Sequence, residues 1–121
     1  MEINNINNTQ TKGIPYDRNV IQTAQFKDST DFFINNDGSV CIYDYETDTR
    51  HILAQTADEN GNTVVSYTQR QLVEPGRYTS YTDNEFDGIF DEVVYECANG
   101  DMTTCLVDSD ADGVVDDFYC Y

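Results

Sequence analysis

The chain has 121 residues, with 23 acidic and six basic side chains, one histidine and a formal net charge of -17. A field of that sign repels nucleic acid and anionic lipid and attracts cations or basic protein surfaces, which excludes direct nucleic-acid binding. No apolar run approaches the ~18 residues of a membrane-spanning helix, so membrane insertion is not expected. Hydrophobic residues make up 39%, with nine Tyr and six Phe, enough to build the core of one modest domain.

In chain order, residues 1–30 read as an extended N-terminal arm. Asn4, Asn5, Asn7 and Asn8 leave only Ile3 and Ile6 as large apolar groups before Gly13 and Pro15. No basic stretch leading into an apolar one follows Met1, so no secretory signal is visible. Val20 to Phe26 reads equally as a short strand or a single helical turn. From Asp31 the pattern is β, with runs rich in Val, Ile, Tyr, Phe and Thr between turns of Asp, Asn and Gly. Strands are expected over 31–34, 40–45, 51–55, 63–68, 78–81, 92–97, 102–107 and 115–121. No long segment shows helical spacing. The expected architecture is all-β: a small antiparallel meander of hairpins over 31–121, closing into a barrel, a sandwich or a short β-stack.

A weak repeat underlies the meander. Asp37-Gly38, Asn60-Gly61, Asp87-Gly88 and Asp112-Gly113 place glycines 23, 27 and 25 residues apart. The last two units align without a gap: Asp83 on Asp108, Glu85 on Asp110, Asp87 on Asp112, Gly88 on Gly113 and Asp91 on Asp116. Asp108, Asp110, Asp112 and Asp116 stand at positions 1, 3, 5 and 9 of a tight loop, with Gly113 at 6. Such a loop turns its carboxylates inward and suits a hard cation, Ca2+ above Mg2+, because Ca2+ accepts six to eight oxygens in flexible geometry. The peptide oxygen of Val114 is the candidate fifth ligand. In the earlier loop the candidates are Asp83, Glu85, Asp87, Asp91 and, by the same offset, Ile89. The turns at Gly38 and Gly61 lack alternating acids and read as plain turns.

This pattern resembles the DxDxDGxxD calcium loops of EF-hands, dockerin modules, thrombospondin type 3 repeats and FG-GAP repeats, over about nine residues per loop. An EF-hand would carry a bidentate Glu at loop position 12, where Tyr119 stands, and a helix would follow it. The FG-GAP form is nearer, since Asp116 leads straight into a β-type run. Its propeller blade is longer than a ~25-residue period, so the resemblance implies ligand roles and not a fold.

Cys41, Cys97, Cys105 and Cys120 form no CxxC, and His51 has no second histidine, which argues against zinc. A symmetrical hairpin about Asp112-Gly113 sets Cys105 opposite Cys120, which pairs Cys41 with Cys97 if the thiols are oxidised; four reduced core thiols are the other state. His51 reads as a lone surface histidine, and no nucleophile motif points to an enzyme. The leading expectation is a non-enzymatic, calcium-stabilised structural or attachment β-module of a cell surface, fibre or virion exterior, with a protein partner or a second copy bound. Calcium and disulfides favour an extracellular or virion setting; the absent leader keeps a cytoplasmic one open. The alternative is an acidic mimic of the nucleic-acid backbone that inhibits a basic nuclease. Adaptation of the surface to high salt is a third reading.

Overall fold

The structure is a computed structural model, and residues 13–121 are described. Ten strands and one helix follow in chain order: β1 (Ile14–Pro15), α1 (Asn19–Gln25), β2 (Thr30–Ile34), β3 (Val40–Asp44), β4 (Thr49–Ala57), β5 (Thr63–Glu74), β6 (Arg77–Asp83), β7 (Ile89–Phe90), β8 (Glu92–Asn99), β9 (Met102–Asp108) and β10 (Asp117–Cys120). Eight strands form one antiparallel sheet in the order β10-β9-β8-β6-β5-β4-β3-β2, while β1 and β7 pair with each other outside it. The all-β meander of hairpins is thus the observed class.

The sheet is open, not a barrel or a sandwich. Its edges, β2 and β10, do not meet. Closure needs strands bent at repeated bulges, and the register of the sheet shifts at one place, between Leu72 and Glu74. A second sheet large enough for a sandwich is replaced by α1 and the 83–91 loop, which cover one face.

Of the expected 1–30 arm, residues 1–12 lie outside the described residues. Residues 13–30 do not extend away from the domain: β1 pairs with β7, and α1 buries Ile21 and Ala24 in the core. Seven residues are too few for a helix to hold by itself. The apolar stripe of Val20, Ile21 and Ala24 forms because the sheet lies beneath it.

The core is aromatic. Ile42, Leu53, Tyr67 and Tyr81 rise from one sheet face to meet Ile21, Phe86, Phe90 and Tyr16. Tyr16 stacks on Phe90 at 4.1 Å between centroids, and Tyr67 packs between Phe90 and Phe86 at 6.0 and 6.5 Å. Each such ring removes about 150–250 Å2 from water, a gross gain of roughly 4–6 kcal/mol before entropy is counted. The opposite face is a polar ladder: the Arg70 guanidinium lies 3.9 Å from the Tyr78 ring centroid and 3.2 Å from Glu96. These partners let β5 run on to Glu74, past the expected end at Thr68.

His51 is not at the surface. β4 begins at Thr49, which turns His51 inward to 5% exposure, with Nδ1 2.6 Å from the Tyr67 hydroxyl. Burial lowers its pKa below 6.5, although the Asp44 carboxylate pulls the other way. The unfolded chain therefore takes up a proton at a pH where the folded one does not, and stability is lost as pH falls below about 6.5. Asp44, held by the Lys27 ammonium at 2.6 Å, has its pKa lowered to about 2. Its stabilisation is present above the unfolded value and is lost as pH falls from 3.8 toward about 2. Melting temperature against pH shows both steps, and His51→Gln removes the upper one; a wild-type curve flat from pH ~7 to ~5 would contradict this assignment.

The cysteine pairings do not form. Cys105 faces Tyr119, and Cys120 faces Thr104, one residue off the symmetrical register. The loop between them closes unevenly, with the Asp116 amide donating to the Val107 carbonyl at 2.8 Å, and a one-residue slip sends Cys120 to the other face. Cys41 and Cys97 stand on β3 and β8, four strand spacings or about 19 Å apart, far beyond the ~7 Å limit of a bridge. All four are free thiols, with Cys41 and Cys105 buried and Cys120 exposed. Without reductant, alkylation of the native protein should label Cys120 first and unfolding should expose four; recovery of a bridged peptide would refute the pairing geometry.

Candidate metal centre

β9 ends at Asp108, which is 2% exposed, and β10 begins at Asp117. Between them the chain enters the left-handed region at Ala111 (φ 54°) and Gly113 (φ 91°). These reversals fold the loop back over its first residue, and glycine takes such a φ without a Cβ penalty. The Gly113 and Asp112 amides donate to the Asp108 carboxylate at 2.9 and 3.2 Å. The Val114 amide donates to Asp112 Oδ1 at 2.9 Å. Ser109 donates to Asp116 Oδ2 through its amide at 2.9 Å and its hydroxyl at 3.0 Å.

The outcome is convergence. One carboxylate oxygen each from Asp108, Asp110, Asp112 and Asp116 lies within 4.8 Å of the others. Oxygens on one calcium-sized ion, each about 2.3–2.6 Å from its centre, stand up to about 5 Å apart. The four carboxylates can therefore hold one metal ion. Burial, the largest single influence on Asp108, pushes its pKa up. The amides of Gly113 and Asp112 overcome it, and the carboxyl lies below the ordinary aspartate value. The loop thus keeps its most buried acid ionised beside three others. Bare charges at such spacing repel by about 1 kcal/mol per pair in water, and more where water is excluded. Val114 is exposed beside Asp112.

The 83–91 loop is the same structure 25 residues earlier. Phe86 and Gly88 take φ of 55° and 91°. The Asp87 and Gly88 amides donate to Asp83 at 3.3 and 2.9 Å, the Ile89 amide to Asp87 at 3.1 Å, and the Asn84 amide to Asp91 at 2.8 Å. The 83–91 and 108–116 loops therefore share one pattern of hydrogen bonds.

Its acids nevertheless do not form a second cluster. Among the described residues, the one group of three or more potential ligands that meets the 4.8 Å spacing is at Asp108–Asp116. In the earlier loop, the Tyr16 hydroxyl donates to Asp83 Oδ2 at 2.7 Å, and the Arg18 guanidinium donates to the Phe86 carbonyl at 3.0 Å. Glu85 is exposed. The chain itself supplies a proton donor and a positive charge to this loop.

Gly13, Tyr16 and Arg18 tie the two loops together, since the Gly13 amide also donates to the Asp110 and Ala111 carbonyls at 3.1 Å. None was anticipated. The Tyr16–Asp83 bond joins residues 67 positions apart, and no local spacing announces it.

No family model, curated protein or solved structure matches the chain.

The likeness to calcium loops therefore rests on the four aspartates at 108–116, and the likeness of the 83–91 loop to them is internal to this chain.

Proposed function

We propose that the chain is a calcium-stabilised, non-enzymatic β-module with a structural or attachment role. The convergence of the four carboxylates within 4.8 Å carries this reading. Asp108, Asp110, Asp112 and Asp116 hold the ion by side chain, and the Val114 peptide oxygen adds to them. Calcium suits a set of flexible, acidic oxygen ligands better than magnesium, which keeps several waters and demands octahedral geometry. The bound ion neutralises a repulsive loop and fixes β10 against β9. Through the Gly13 amide it also steadies β1, which bridges the loops.

Assembly follows from the edges. β2 and β10 each have one neighbour in the sheet and expose Phe32, Ile34 and Phe118. Unprotected strand edges pair readily with another chain, which supports a protein partner or a second copy on a surface, fibre or virion exterior.

Native mass spectrometry in calcium tests the metal reading. One calcium per chain is expected, and none for Asp112→Asn. Two calcium ions would reassign the 83–91 loop, and none on the wild type would end the proposal. Salt-sensitive, calcium-independent capture by a basic nuclease would replace it with nucleic-acid mimicry.

A further inference from the structure

A cavity of about 370 Å3 lies between α1 and the central strands, away from both acidic loops. Volumes of about 300–1,000 Å3 are typical of small-molecule sites. Its floor carries His51 of β4 and Gln69 and Gln71 of β5, and Val20 and Ala24 of α1 form an apolar wall.

The polar floor is a directed relay. The Gln71 amide donates to Gln69 Oε1 at 2.9 Å, and the Gln69 amide donates to the Tyr67 hydroxyl oxygen at 3.2 Å. The Tyr67 hydroxyl lies 2.6 Å from His51 Nδ1, and a neutral imidazole that accepts this proton at Nδ1 carries its own on Nε2. Nε2 has no hydrogen-bond partner among the described residues, although His51 is 5% exposed and lines the cavity. The relay starts at a Gln71 amide, whose carbonyl oxygen is also without a donor among the described residues. His51 Nε2 and the Gln71 side-chain oxygen therefore line one open cleft.

Charge narrows the ligand. Lys27 at the rim is already neutralised by Asp44 at 2.6 Å and Glu46 at 3.5 Å. The two charged side chains that line the cavity, Lys27 and Asp44, pair with each other, so neither an anion nor a cation meets an uncompensated opposite charge there, and a chain of net charge -17 resists a further anion. An apolar wall against a polar floor matches a ring with a C–H face and a hydroxyl rim.

We propose that this cavity binds a neutral, hydroxyl-rich ring compound of the monosaccharide class, held by His51 Nε2–H and the Gln71 amide, with its C–H face on Val20 and Ala24. The site is independent of the metal reading. An attachment module with a saccharide site would recognise a glycan directly.

The single histidine provides the readout, because its imidazole Hε1 gives one proton NMR resonance. The calcium-loaded protein is titrated with glucose, galactose, mannose and N-acetylglucosamine, each to about 50 mM, well above a Kd of about 1 mM. At least one sugar should shift the His51 resonance saturably, and Gln71→Ala should weaken that sugar about fivefold, the loss of one hydrogen bond. Absence of any shift on the wild type would overturn the proposal, as would a non-saturating drift equalled by glycerol. Repeating the titration in chelator keeps its failure separate from failure of the metal reading.

Discussion

Millimolar calcium should raise the melting temperature of the chelator-treated protein by about 10 °C. An ion that binds the folded loop and not the unfolded chain stabilises by RT ln(1 + [L]/Kd), about 2.7 kcal/mol at 100 times Kd. For a domain of this size each kcal/mol moves the midpoint by about 4 °C. The gain is confined to the folded state because the ligands are assembled by the loop: the Gly113 and Asp112 amides hold Asp108, and Ser109 holds Asp116. Asp112→Asn and Asp116→Asn should each abolish most of the shift. Magnesium at the same concentration should give a smaller one. Scanning calorimetry with calcium and then with chelator measures it, and a midpoint indifferent to both would remove the ion from the account.

Asp83→Ala should cost about 3–5 kcal/mol in denaturant unfolding, with or without calcium. Asp83 is fully buried and accepts from the Tyr16 hydroxyl at 2.7 Å and the Gly88 amide at 2.9 Å. Burial, again the largest influence, raises its pKa, but the Tyr16 hydroxyl and the Gly88 amide prevail and keep it below the ordinary value. Alanine strands these donors inside the protein and frees β1 from the loop. A buried donor left without a partner costs about 1–3 kcal/mol, against a total stability of about 5–15 kcal/mol for a typical domain. Tyr16→Phe removes one bond to a charged acceptor and should cost about 1.5–3 kcal/mol. An Asp83→Ala variant within about 1 kcal/mol of wild type would show that the loop is held by something other than its first residue.

The contrast between the two loops explains what could be read in advance. Both show the same acid spacing and the same pair of left-handed residues, so the convergence at Asp108–Asp116 was legible as a local pattern. The different state of the 83–91 loop was not, because Tyr16 and Arg18 reach it from far along the chain. The strands from β2 onward, β7 apart, were legible because alternating apolar residues face a core and turns rich in Asp, Asn and Gly separate them. β5 runs past its expected end because Gln69, Arg70 and Gln71, which look like a polar stop, are partnered: Arg70 by Tyr78 and Glu96 on neighbouring strands, Gln69 and Gln71 along β5 itself. α1 and the two-residue strands β1 and β7 are too short to carry a period. The register at Cys105 escaped because it depends on how unevenly the 108–116 loop closes, and His51 because a start two residues earlier for β4 places it inside the sheet, paired with Ile42 and Gln69.

Isothermal titration calorimetry of the chelator-stripped protein with calcium tests the central claim most directly, because it reads binding at the four carboxylates and nothing of the surrounding fold. The account predicts saturable binding at one ion per chain, lost in Asp112→Asn and kept in Glu85→Gln. No binding by the wild type, or binding that survives Asp112→Asn unchanged, would contradict it.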